Sequence, residues 1–187
     1  MSKMEDSGVS ILDLLCKGKN NDAALHKHER DEKSKEAKLW MTRRNSYNEM
    51  FKESSAKANE AKKERDEMNV KVQECKARRD ELRKKAAELK GGNADEYQAV
   101  IDEGDRAHEE MVDYWEKSQM AHQTMMQNYE DATVAKKLSD IAHRKSVECW
   151  KAADKEHQLF IESVKSIDEF KNDPFKELIP TENEKKN

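Results

Sequence analysis

One stretch, residues 97–167, constrains the chain more than any other. In steps of three and four it reads Tyr97, Ile101, Gly104, His108, Met111, Trp115, Ser118, His122, Met125, Tyr129 and onward through Trp150 and His157 to Ile167, without a slip. One heptad series is bulky: Ile101, His108, Trp115, His122, Tyr129, Lys136, His143, Trp150, His157, Val164. The second is small or flexible: Gly104, Met111, Ser118, Met125, Ala132, Ser139, Ser146, Ala153. A third file, Ala107, Tyr114, Ala121, Ala135, Ala142, Cys149, widens the stripe. A 3,4 repeat of this length specifies a helix that buries one seam against another helix.

The partner helix lies upstream. Ala37, Trp40, Arg44, Tyr47, Phe51, Ser54, Ala58, Ala61, Arg65, Met68, Val72, Cys75, Arg79, Leu82, Ala86 and Leu89 form a second continuous frame. The seam arginines lay their aliphatic stems across the interface and send the guanidinium outward. Extended backwards, the frame meets Lys33, Arg30 and His26, poor seam residues that predict looser first turns. Between the two frames stands the chain's only glycine pair, in Gly91-Gly92-Asn93. Glycine after a helix end and asparagine before the next helix form a stop-and-restart signal. So short a connection makes the helices antiparallel neighbours. The expected register sets Leu82 opposite Ile101 and Gly104, Met68 against a buried Trp115, and Ala61 by His122.

Composition agrees with a rod and not with a round core. Of the 187 residues 41% are charged and 35% hydrophobic, with 5 Gly and 2 Pro; the mean hydropathy is -1.19. An ordinary domain is roughly a quarter charged and about 45–50% apolar. The net charge of -4 is unevenly spread: residues 24–90 carry 20 Lys/Arg against 14 Asp/Glu, and residues 94–171 carry 10 against 18. Opposite net charge on two helices favours their pairing and penalises self-pairing of either.

The expected organisation is an all-α, long antiparallel two-helix coiled-coil hairpin with flexible termini. Residues 1–21 read as a flexible arm with a short apolar cluster. The hairpin covers 22–172, as a helix over 22–90, a turn over 91–93 and a helix over 94–172. Residues 173–187 read as a disordered tail, marked by Pro174 and Pro180. Two short apolar clusters, Ile11, Leu12, Leu14 and Leu15 in the arm and Phe175, Leu178 and Ile179 in the tail, are candidate partner-docking elements. No apolar run is long enough to span a membrane, and no secretory signal is evident. Cys16, Cys75 and Cys149 are widely separated, form no CxxC, and read as structural thiols of a reducing cytoplasm.

Chemistry is hard to find. His108, His122, His143 and His157 are spaced by multiples of seven, and 14 residues of helix span about 21 Å. They cannot converge on one ion, so no metal and no cofactor is expected. No phosphate loop or nucleophile motif occurs, and a two-helix coil offers no cavity to dehydrate a reaction. The strongest binding feature is the basic run before the turn. Lys76, Arg78, Arg79, Arg83, Lys84, Lys85 and Lys90 are candidate phosphate contacts. They also complement a helix C-terminus. Tyr97 is the one aromatic beside them, which points to backbone rather than base recognition.

The runs Glu64-Arg65-Asp66-Glu67-Met68-Asn69-Val70-Lys71-Val72 and Arg78-Arg79-Asp80-Glu81-Leu82 resemble the repeated RDELN-type runs of uncharacterised archaeal coiled-coil proteins. Ala107-His108-Glu109-Glu110-Met111, Ala142-His143-Arg144-Lys145 and Ala153-Asp154-Lys155-Glu156-His157 resemble that family's AH and ADxxH elements. The match covers residues 56–164, with a gap around 128–138. The family is similar in turn to a eukaryotic coiled-coil protein of messenger-ribonucleoprotein particles. The resemblance implies a cytoplasmic, non-enzymatic protein linked to translation, and it supplies no catalytic residues. The expected function is thus a coiled-coil interaction protein, on ribosomes or structured RNA or with a protein partner. The alternative is a self-assembling scaffold of cytoskeletal or envelope type. Whether two hairpins pair into a homodimer stays open in the sequence.

Overall fold

The computed structural model describes residues 11–173, without the side chains of Ile11 and Leu12. They form two helices, α1 (Ile11–Leu89) and α2 (Ala94–Asn172), packed antiparallel, and no strand occurs among the described residues. Asp173 closes α2 by a backbone bond to Glu169, and Phe175, Leu178 and Ile179 lie outside the described residues.

The turn is built as its residues dictate. Gly91 has φ +94°, a conformation that costs an L side chain about 1–2 kcal/mol. Gly92 N–H donates to the Leu89 carbonyl at 3.0 Å. Asn93 then caps α2, its Oδ1 accepting from Asp95 N–H at 3.0 Å. Asp95 and Glu96 stand in the first turn, where carboxylates favour the helix N-terminus.

The paired helices divide into two compact units. One pairs residues 11–44 with residues 140–172; the second, Asn45–Ser139, carries the turn. In both units the α1 seam is the predicted file. In the turn-bearing unit Ala58, Ala61 and Ala86 are buried, and Leu82 lies 3.8 Å from where a Cβ on Gly104 would stand. In the other unit the seam runs further back than expected. Ala23 is buried, His26 Nδ1 meets Glu156 Oε2 at 2.7 Å, and Arg30 covers the Phe160 ring at 5.9 Å. Lys19 donates to Ser166 Oγ at 2.8 Å and lies 5.7 Å from the Phe170 ring centroid. These polar and cation–π contacts extend α1 to Ile11, where a flexible arm to residue 21 was expected. The 3,4 frame in fact continues through Cys16, Lys19, Ala23 and His26.

The α2 seam differs from expectation by one file. The buried residues are the small series together with the third file: Val100, Gly104, Ala107, Ser118, Ala121, Met125, Ala132, Ala135 and Ser139 in the turn-bearing unit, and Ala142, Ser146, Cys149, Ala153, Ile167 and Phe170 in the other. The bulky series is displaced to the flank. Trp115 is 53% exposed and is not buried against Met68; His108, His122, Tyr129, His143 and Trp150 are exposed as well. The cause is the size of the seam residues. Facing alanines and serines let two backbones approach closely, so that Ser146 Oγ on α2 donates to the Ala37 carbonyl of α1 at 3.2 Å. Ser118 is the largest side chain that is completely buried among the described residues. An indole has no place in such a seam.

Candidate nucleic-acid interface

The turn-bearing unit has two unlike sides, and cross-helix bonds show which residues belong to each. On the first side, Ser118 donates to Asn69 Oδ1 and Ser139 to Asn48 Oδ1, both at 2.7 Å, and Tyr129 Oη reaches Asn59 Oδ1 at 3.4 Å. Asn48 and Asn69 belong to one heptad file of α1 that also holds Lys62, Lys76, Arg83 and Lys90. Across from it runs the displaced α2 file His108, Trp115, His122, Tyr129, Lys136, with Val112 and Met126 beside it.

The second side is defined by Arg78, which pairs with Glu103 at 2.8 Å and Glu110 at 3.8 Å, and by Lys71, 5.1 Å from the Tyr114 ring centroid. It bears an exposed file of glutamates one heptad apart: Glu53, Glu60, Glu67, Glu74, Glu81 and Glu88. Glu64 and, from α2, Glu96, Glu103, Glu110, Asp113 and Asp131 join them. They face Lys57, Lys71, Arg78, Lys85, Arg106 and Lys117, half as many cations as carboxylates. On the first side the balance is reversed. Lys62, Lys76, Arg83 and Lys90 stand against Asp66, Asp80 and Asp105, and two of these aspartates are taken by neighbours, Asp66 by Arg65 and Asp80 by Arg79 at 2.7 Å.

The predicted phosphate-contacting residues are therefore divided. Lys76, Arg83 and Lys90 share the basic side; all are exposed, and none forms an ion pair within 4 Å among the described residues. Arg78 is engaged on the acidic side, where its hydrogen bond holds the Glu103 carboxyl below the usual carboxylate range. Lys85 belongs to that side too, and Lys84 points away from both. Arg79 is drawn into the seam, with 14% of its side chain exposed and Nη1 at 3.6 Å from Met111 Sδ. Its bond to Asp80 lowers that carboxyl's pKa. Sequence reasoning missed Lys62, which lies far from the turn, and assigned the aromatic file to the seam rather than to this side; the heptad spacing of Lys62, Lys76, Arg83 and Lys90 is the signal that finds the cation file.

A shallow groove of ≈ 670 Å³ runs along α2 from His122 to Thr133, lined by Met126 and Tyr129. A smaller one of ≈ 360 Å³ joins Asn48, Phe51 and Lys52 of α1 to Lys136 of α2. Both open to solvent. Among the described residues no three His, Cys, Asp or Glu side chains are grouped to hold a metal, and no helix is long and apolar enough to cross a membrane. In the other unit Leu14 is 57% and Leu15 39% exposed on the first turns of α1. Comparison with protein-family models, with curated proteins and with solved structures returns no match to this chain.

Proposed function

We propose that the chain is a non-enzymatic coiled-coil interaction protein that binds structured RNA, alone or on ribosomes, through backbone phosphates. The observation that carries this reading is the file Lys62, Lys76, Arg83 and Lys90: solvent-facing cations without ion partners, gathered on one side of the turn-bearing unit while the opposite side is acidic. Unpaired cations in a row are what a phosphate chain neutralises, and the release of its counterions supplies the affinity. The resemblance to the archaeal coiled-coil family adds a cytoplasmic setting and a link to translation. Open grooves along a two-helix seam suit docking and not the enclosure of a substrate.

The test is binding to purified ribosomes and to RNA at several salt concentrations. Lys76, Arg83 and Lys90 replaced together by Gln should lower the slope of log affinity against log salt by about 2–3 and weaken all sequences alike. Lys84→Gln with Lys85→Gln should change little. An unchanged slope in the triple variant refutes the reading.

The two oppositely charged sides also favour a second reading, lateral self-association of copies, basic side against acidic side. Such a contact is heterologous and does not close on itself. Sedimentation at low and high salt decides it: a mass that rises with concentration at low salt and falls to the monomer at high salt supports a scaffold.

A further inference from the structure

We infer that the basic side of the turn-bearing unit takes the single-stranded segments of structured RNA in preference to duplex, with bases stacked on Trp115 and Tyr129 while Lys62 and Lys76 hold phosphates; this rests on the RNA reading above. Three observations converge on it. The first is the exposure of the rings themselves. Trp115 is 53% and Tyr129 40% exposed, although such side chains normally bury large areas. The alanine seam forces them out, onto the one side of the unit that is basic. The second is their spacing. Trp115, His122 and Tyr129 follow at seven-residue intervals, about 10.5 Å along the helix. That is some three times the ~3.4 Å rise of stacked bases in a duplex strand. No stacked strand can fill successive rings, whereas an unpaired chain can splay its bases to reach them. A duplex keeps its bases inside and offers this side only phosphate. The third is the opposing file. The bonds of Ser118 to Asn69 and of Tyr129 to Asn59 set the register: Lys62 stands level with the interval between His122 and Tyr129, and Lys76 level with that between His108 and Trp115, so cations can track a backbone while rings take its bases, the arrangement by which proteins hold single strands without sequence preference. The groove between His122 and Thr133 gives a base room to lie flat beside Tyr129. The glutamate file on the far side keeps the strand to one side.

The experiment measures binding of the full chain to labelled oligo(U) and to a blunt RNA duplex of equal phosphate count, at one moderate salt concentration. Oligo(U) should bind about tenfold or more tightly than duplex. Trp115→Ala should weaken oligo(U) about tenfold, in line with the loss of one stacked base, and leave duplex affinity unchanged; Trp115→Phe should restore most of the loss. Lys62→Gln with Lys76→Gln should weaken both ligands. Circular dichroism confirms that each variant keeps its helix content. Duplex bound as tightly as oligo(U), or oligo(U) binding indifferent to Trp115→Ala, overturns the single-strand inference while phosphate binding stands. Failure of both ligands to bind overturns the RNA reading as well.

Discussion

Ser118 shows how little room the seam has. It is 1% exposed, and its hydroxyl donates to Asn69. A leucine there must push two helices apart, and Ser118→Leu should cost about 2–3 kcal/mol in chemical denaturation. Trp115, three residues earlier, should behave in the opposite way. Had it been buried against Met68, truncation to alanine would cost about 3–5 kcal/mol; half exposed on the flank, it should cost about 1 kcal/mol or less. Cys149 belongs with Ser118. Burial, and then the nearby Glu36 carboxylate, push its thiol above the ordinary range. At neutral pH it stays protonated, so alkylation of Cys149 should proceed only as the helices open, and denaturant should accelerate it. Cys75 is raised for the same first reason, with Glu110 second.

The elements themselves were legible. The 3,4 frames, the Gly-Gly-Asn turn and the end of α2 follow from residues with local, directional preferences. Which face of α2 is buried did not follow, and the reason is physical. Trp115, Tyr129 and Trp150 carry the largest apolar surfaces, so hydrophobicity alone assigns them to the seam. Close packing of alanine and serine contributes less per residue but lets the backbones approach, and between Gly104 and Ala153 that choice excludes rings. The α1 start was missed because His26 and Arg30 are poor seam residues by hydrophobicity, when these two and Lys19 each have a partner on α2. At the turn, Gly91→Ala should cost about 1–2 kcal/mol, seen as a lower melting temperature with unchanged helix content. Acid should act nearby. Arg78 holds the Glu103 carboxyl below its unfolded value, so the pair's contribution is present above pH about 4 and is lost as pH falls through the lowered folded pKa. Hydrogen-exchange protection around residues 78–103, taken relative to the intrinsic rate at each pH, should therefore fall slightly below pH about 4, and Arg78→Gln should remove that acid sensitivity.

Across the molecule, the opposite charges of the two helices are expressed less in direct pairs than in a field. Lys33–Glu36, Lys35–Glu32, Lys52–Glu49, Lys117–Asp113 and Lys145–Glu148 are all within one helix, while His26–Glu156 and Arg78 with Glu103 cross between helices. Exposed pairs of this kind are screened by water and contribute little to stability. The charge asymmetry thus selects the partner, and the small seam residues hold it. The candidate site was half legible: its cations were visible as a run, but their division between two sides needed the seam to be placed first.

A seam of near-identical small residues brings a hazard of its own. Alanine opposite alanine looks the same after one helix slides by seven positions, so hydrophobic burial alone does not choose among such registers. The bonds from Ser118 to Asn69 and from Ser139 to Asn48, with Leu82 seated against Gly104, act as the teeth of a vernier: they mesh together at a single offset. With both serines changed to alanine the turn-bearing unit should keep its helix content but populate slipped states. Cross-helix distances measured between spin labels should then broaden into several discrete values about 10.5 Å apart along the axis.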